Sequence, residues 1–269
     1  MKESTHLTFL KLGGSLITDK STPLTAKRPV IARIAAEIAQ FRKEHPEEML
    51  LIGHGSGSFG HAIASQYGTQ NGVRTSGEWQ GFAEVWAAAR TLNQIVMEEF
   101  ASAGLPALSF PPSAGLISKN KEPLTWDIHP LELALANDLI PVVQGDVIFD
   151  LALGGTIFST EKVFTFLAPT LQPARILLAS VEAGVYIDPA KPGDILEQIT
   201  PDRMDKIRPS LSGSAATDVT GGMLAKVEEM ESLLEILPDL EIRIFSGVVE
   251  GNVRRVLNGK SLGTRISGS

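Results

Sequence analysis

The sequence predicts an α/β fold whose mostly parallel central sheet is covered by helices on both faces. Three observations carry that expectation. Short apolar runs stop abruptly at glycine-rich turns, and segments with apolar residues at three- and four-residue spacing alternate with those runs. Across 269 residues there is also no internal repeat, low-complexity tract or long Pro/Gly/Ser linker. Parallel strands buried on both faces read as continuous apolar runs, and each needs a crossover, usually a helix, to reach the next.

The first run, residues 7–12, ends at Gly13-Gly14-Ser15 and reads as a buried strand feeding a turn. In 29–42 the positions Ile31, Ile34, Ala35, Ile38 and Phe41 fall at helical spacing, and the apolar run to Ile52 then enters Gly53-His-Gly-Ser-Gly57. A long helix is expected over 76–103, where Phe82, Val85, Trp86, Ala89, Leu92, Ile95 and Val96 repeat at three and four. Further strand-like runs lie at 139–143, 176–179 and 242–245. Residues 188–208, rich in Pro, Asp and Lys, read as an extended excursion followed by a flexible loop at 210–217. A last clear helix carries Met223, Val227, Met230, Leu234 and Leu237 on one stripe, with Glu228, Glu229, Glu231 and Glu235 as its solvated face. One domain is expected, with a composition shift near 150–160 dividing it into lobes 1–155 and 156–269.

Composition narrows the function. Lys plus Arg number 24 against 31 Asp plus Glu, a net charge of -7, which argues against a nucleic-acid or anionic-membrane partner. No cysteine is present, so disulfides, thiolate metal sites and thiol nucleophiles are excluded together. No apolar run reaches the roughly 18 residues of a membrane span, and the segment before the first glycine pair does not read as a signal peptide. A cytoplasmic location is the expectation. The histidines lack metal-ligand spacing, and no protein-held metal is assigned.

Three glycine-rich turns stand where strands should end: Lys11-Leu-Gly-Gly-Ser15, Gly53-His-Gly-Ser-Gly-Ser-Phe-Gly-His61 and Thr217-Asp-Val-Thr-Gly-Gly-Met223. Each could be only a tight turn. Together, and each with a Lys or His, they suit phosphate, because glycine lets backbone N–H groups approach an anion and a following helix adds its N-terminal partial charge. Neither the P-loop nor the dinucleotide fingerprint is present. What remains is Lys11, Lys20 and Lys226 near strand or helix ends, the kind of cations that phosphoryl transfer requires. Lys20 and Lys226 could equally be surface lysines, His54 structural or substrate-adjacent, and Asp146 and Asp150 turn formers.

Four segments then carry a resemblance: Lys11-Leu-Gly-Gly-Ser-Leu-Ile-Thr-Asp-Lys20, His54-Gly-Ser-Gly-Ser-Phe-Gly-His61, Val142-Val-Gln-Gly-Asp-Val-Ile-Phe-Asp150 and Asp218-Val-Thr-Gly-Gly-Met-Leu-Ala-Lys226. In this order, over nearly the whole chain, they resemble the isopentenyl phosphate kinases of the amino acid kinase superfamily. The resemblance implies an open three-layer αβα sandwich, a homodimer, an acceptor lobe before a nucleotide lobe, and transfer of the ATP γ-phosphate to isopentenyl phosphate, with Mg²⁺ carried by the nucleotide. It assigns Lys11, Gly13, Gly14, Ser15, Gly57, Glu182, Gly222 and Lys226 to ATP, and Lys20 to the transferring group. Gly55, Ser56, Gly57 and Gly145 would offer N–H groups, with Gly55, Ser56, His61 and Gly145 on the acceptor, and His61 neutralising its phosphate. Two departures stand out. Ser159-Thr-Glu-Lys162 replaces a Ser-Gly-Asp-Asp pattern, leaving Glu161 to organise the lysines, and Ser180-Val-Glu-Ala-Gly-Val-Tyr186 leaves Glu182 as the only acid near the nucleoside.

The acceptor tail needs an apolar wall, and the helix after His61 offers Phe82, Val85, Trp86 and Ala89, the first and third expected to limit chain length. The alternative is that this stripe is core. Two other functions stay open: a kinase for a phosphonate such as fosfomycin, and a nucleotide or ligand sensor without turnover. Lys11, Lys20, His61 and Lys226 together weigh against the sensor, which needs no cation at a moving phosphoryl group.

Overall fold

A computed structural model describes residues 6–188, 193–202, 204, 208 and 222–268. In chain order the strands are β1 (Leu7–Leu12), β2 (Met49–His54), β3 (Ala107–Ser109), β4 (Ile117–Lys119), β5 (Glu122–Thr125), β6 (Ile140–Gln144), β7 (Asp146–Asp150), β8 (Gly154–Phe158), β9 (Arg175–Ser180), β10 (Gln198–Ile199), β11 (Glu241–Ser246) and β12 (Thr264–Ile266). The helices are α1 (Gly14–Ile17), α2 (Arg28–Glu44), α3 (Gly57–Tyr67), α4 (Ser76–Ser102), α5 (His129–Ala136), α6 (Thr160–Leu171), α7 (Gly222–Ile236) and α8 (Asn252–Leu257).

An eight-stranded sheet runs in the order β10-β12-β11-β9-β1-β2-β6-β3. All its pairings are parallel except β11–β12. β1 lies at its middle, Phe9 opposite Leu51 on one side and Ile176 on the other, and all six of its residues are buried. Alternation along the strand divides two cores. Leu7 and Phe9 pack with Phe164, Leu167, Val227 and Met230 of α6 and α7, whereas Leu10 and Leu12 pack with Ile34, Ile38, Leu92 and Val96 of α2 and α4. The result is an open αβα sandwich, as the periodicity predicts.

α4 begins where its sequence provides a cap: Thr75 Oγ1 accepts from Glu78 N, and the Glu78 carboxylate accepts from Thr75 N at 2.8 Å. The strands β4, β5, β7 and β8 form a second, four-stranded sheet, β5-β4-β7-β8, absent from the sequence expectation. β7 follows β6 after the single residue Gly145, so this sheet stands at the carboxyl ends of the central strands. Asp150 clips it together. Its carboxylate accepts from Ser118 Oγ, Asn120 N, Lys121 N, Ala152 N and Leu153 N, tying the β4–β5 turn to the β7–β8 turn. Of the two readings of Asp150, the turn-forming one holds. Those bonds outweigh the upward push of desolvation and hold its carboxyl far below the usual carboxylate range.

The loops after β1 and β2 interlock through glycine. A Cβ on Gly14 would meet Gly57 Cα at 2.7 Å, and one on Gly55 would meet Gly14 N at 2.9 Å. Gly57 itself has φ +49°, a left-handed conformation that a side chain disfavours. Thr18 joins the two loops, donating to Gly14 O at 2.8 Å and accepting from Ser58 N at 3.0 Å. The loop expected at 210–217 and the glycine turn up to Gly221 lie outside the described residues, as does most of the 203–208 part of the excursion.

Gly14→Ala forces backbone against backbone, so a loss of about 1–3 kcal/mol is expected by analogy with overpacked cores. Urea unfolding of the variant checks this, and an unchanged midpoint would contradict the interlock.

Candidate active site

The carboxyl ends of β1, β2 and β6 open on a cleft, the place where ligands bind in open α/β sheets. Its floor is Lys11, the penultimate residue of β1, buried and in ion-pair contact with Glu161 in the first turn of α6. Local packing sets that geometry. Ser159 caps α6, accepting from Lys162 N, and Thr160 Oγ1 donates to His54 O at 2.7 Å. Gly53 leaves no room for a Cβ against the Phe164 ring, which lets α6 seat on β2. Burial pushes the Glu161 carboxyl up, but the charges of Lys11 and then Lys226 outweigh it and hold the group below its ordinary range. Glu161 thus carries its charge in contact with Lys11 and within the field of Lys226.

Lys226 reaches the cleft from the second turn of α7. Gly14 and Ser15 open α1, and Gly57 opens α3; the first N–H groups of a helix lack an intrahelical acceptor and here border the cleft. His61, further along α3, lines the same space. An apolar wall of Ala64, Val85, Ala89, Ile157 and Phe158 completes the lining. The cleft lining thus combines cations and helix-start residues with hydrocarbon.

Of the residues expected at the site, Lys11, Gly14, Ser15, Gly55, Ser56, Gly57, His61, Gly145, Glu161 and Lys226 converge on the cleft. Several details differ. Gly55 N donates to Leu12 O and Gly145 N to His54 O, both at 3.0 Å, so these two glycines hold the loops rather than offer N–H groups to a ligand. Ser56 Oγ likewise donates to Gly145 O at 2.8 Å. Gly13 is tied to Ala179 O and lies outside the lining. Lys20 is exposed on the loop after Thr18, also outside the lining. Glu182 lies beyond it as well, bonded to Tyr186. Gly222 starts α7 with φ +65° and does not border the cleft.

The tail wall needs correction. Phe82 turns away from the cleft into an aromatic cluster with Trp79 and Phe149, ring centroids 5.3 and 5.4 Å away. Trp86 is 39% exposed with the Arg90 guanidinium over its ring. One face of α4, carrying Val85 and Ala89, meets the cleft, and Trp86 sits one residue off that face. Ala64, Ile157 and Phe158 were not anticipated: Ala64 follows His61 by one helical turn, but β8 gave no strand signal. His54 is structural, buried with Nε2 3.1 Å from Asn93 Oδ1, and burial lowers its pKa. Asp146 borders the cleft, and burial raises its carboxyl to about 6 although Ser113 bonds it through Oγ at 2.7 Å. Among the described residues no group of three His, Asp or Glu side chains is placed to hold a metal ion.

A sheet-end cleft that gathers helix starts, a buried lysine paired with a carboxylate and a second lysine fits a phosphate-handling α/β enzyme. The pattern of the Amino acid kinase family matches residues 6–246, and the chain belongs to that family. Within it, the chain is similar to the isopentenyl phosphate kinases of Methanocaldococcus jannaschii and Methanothermobacter thermautotrophicus, each 33% identical over 97% of this chain and 98% of the other. A solved isopentenyl phosphate kinase structure superposes with a TM-score of 0.81 at 30% identity, over 97% of this chain and all of that one.

Two outcomes follow from the electrostatics. Glu161→Gln leaves a buried lysine without its counter-charge and is expected to cost about 3–5 kcal/mol, whereas Lys11→Met with Glu161→Leu costs less; denaturant unfolding of both variants checks the order. Asp146 binds its proton more tightly folded than unfolded, so its contribution to stability declines as pH rises from its ordinary 3.8 through about 6. Asp146→Asn should therefore gain stability relative to the parent above pH 6 and not at pH 4, read by urea titrations at both values.

Proposed function

We propose that the protein transfers the γ-phosphate of ATP to isopentenyl phosphate, forming isopentenyl diphosphate and ADP. The observation that carries this is the cleft's composition: Lys11, His61 and Lys226 share one lining with Ala64, Val85, Ala89, Ile157 and Phe158, which fits a phosphate bearing a short hydrocarbon tail. The similarity to isopentenyl phosphate kinases over the whole chain supports the same substrate.

In this reading residues 1–155 provide the acceptor side and 156–269 the nucleotide side. Lys11, the N–H groups of Gly14 and Ser15, and Lys226 hold the nucleotide phosphates, with Gly13, Gly57, Glu182 and Gly222 shaping the nucleotide site. His61 holds the acceptor phosphate within the loop of Gly55, Ser56 and Gly145. An oxygen of that phosphate attacks the γ-phosphorus, the bond to the bridging β–γ oxygen breaks, and ADP leaves with the electron pair. A phosphate monoester is largely dianionic at neutral pH, so no general base is required. Catalysis then rests on positioning and on cations aimed at the charge of the transition state. Mg²⁺ carried by the nucleotide would neutralise further phosphate charge, consistent with Glu161 being engaged by lysines. Lys20, exposed on the loop after Thr18, is assigned to the transferring group. The assembly is proposed to be a cytoplasmic homodimer.

Phosphorus NMR of the protein with ATP, Mg²⁺ and, in separate samples, isopentenyl phosphate, dimethylallyl phosphate or fosfomycin tests the reading. Diphosphate resonances with the isopentenyl acceptor are expected; phosphorylation of fosfomycin alone would favour the phosphonate kinase, and no transfer at all the sensor. Lys20→Ala is expected to lower kcat strongly with little change in KM for ATP, since its charge serves the transition state. For the tail, Ile157→Ala should raise kcat/KM for geranyl phosphate relative to isopentenyl phosphate, each added methylene being worth up to about 0.8 kcal/mol, while Trp86→Ala leaves that ratio unchanged.

A further inference from the structure

Beside the cleft lies a second recess, between the β4–β5 turn, the first turn of α6 and α7. It shares Glu161 and Lys226 with the cleft and adds Lys121, Lys162 and Glu229. Lys162 is the feature no role yet explains. A cation in the first turn of a helix opposes the helix dipole, so the position does not serve α6 itself. Its Nζ donates to Lys121 O at 3.1 Å and lies over the Phe158 ring at 5.4 Å. The nearest ion-pair partner is Glu122 at 3.8 Å, whose side chain is 79% exposed and well screened by water. Lys11 is locked to a buried carboxylate; Lys162 has a neutral carbonyl, a weak exposed pair and the charge of Glu229 nearby.

Within the recess Glu161 is engaged by Lys11 and felt by Lys226, and Glu229 is partly buried, its carboxyl pushed up by burial against the charge of Lys162. The docking carbonyl is firmly placed, because Lys121 sits in a turn with φ +66° whose N–H is held by Asp150 at 2.8 Å. A four-carbon stem based in the recess beside the cleft can thus exchange a carbonyl for a stronger acceptor.

We propose that Lys162 is a further phosphate-binding residue, whose ammonium leaves the Lys121 carbonyl to take a phosphate oxygen of a molecule in the adjoining cleft. The assignment rests on the kinase reading above. The phosphate is supplied either by the nucleotide's terminal groups or by the acceptor, and the same chemistry serves both.

Titration calorimetry of the full chain and of Lys162→Met and Lys162→Arg, with a non-hydrolysable ATP analogue, AMP and isopentenyl phosphate, separates the sources. Methionine keeps the stem over Phe158 and removes only the charge. A loss of about tenfold or more for the ATP analogue but not AMP places the contact on the nucleotide, and an equal loss for isopentenyl phosphate places it on the acceptor, with arginine restoring binding in either case. Unchanged affinities for all probes overturn the assignment, as does a loss that arginine does not restore and that comes with a lower Tm, which would make Lys162 only a tie between hairpin and helix. If the parent chain binds neither the analogue nor isopentenyl phosphate, the kinase reading falls and takes the assignment with it.

Discussion

The buried pair of Lys11 and Glu161 is the constraint around which the rest of the cleft is arranged. Lys11 comes from the central strand of the main sheet and Glu161 from the start of a helix 150 residues later. Two ions can share a site this dry only if each stays opposite the other, because either alone would be heavily penalised. Every surrounding contact serves that registration. Gly53 lets α6 approach β2, the Thr160 hydroxyl pins its first turn to His54 O, and Ser159 caps it. Gly14 against Gly57 then sets the height of the two loops that flank the lysine.

That arrangement also explains how one carboxylate can serve a site meant for anions. Glu161 is buried in ion-pair contact with Lys11, and the charges of Lys11 and Lys226 together hold its carboxyl ionised. The cations are therefore oriented before any ligand arrives, and preorganised charge in a water-poor site stabilises a transition state more than solvent dipoles can. The apolar residues of the lining reinforce this by disfavouring water in that part of the cleft. His54 and Asn93 contribute differently, as a buried neutral pair that steadies the end of β2.

Much of the fold could be read from the chain because its central strands are long and doubly buried and its helices strongly periodic. α2 and α4 fall within two residues of their expected ends. The small sheet escaped notice for physical reasons. Its strands are three to five residues long, and two are joined by an Asn120-Lys121 turn with positive φ at both positions and no glycine to mark it. Within the site, the glycine loops, Lys11, Lys226 and Glu161 were recognisable from motif residues. Helical period alone could not decide which neighbour covers each face of α4, so Phe82 and Trp86 were placed at the wall that Val85, Ala89 and Ile157 actually form. Nor could it show that the N–H groups of Gly55 and Gly145 close on the protein's own carbonyls.

The central claim is that Glu161 is ionised in the buried floor of the cleft, held so by Lys11 and Lys226. Carbon-13 NMR of side-chain-carboxyl-labelled glutamate, with the Glu161 resonance identified by its absence in Glu161→Gln, measures this directly. The account predicts a carboxylate shift that stays constant from pH 8 down to pH 5. A resonance that titrates within that range, or one that is protonated at pH 7, would contradict it, because desolvation would then have prevailed over the lysines.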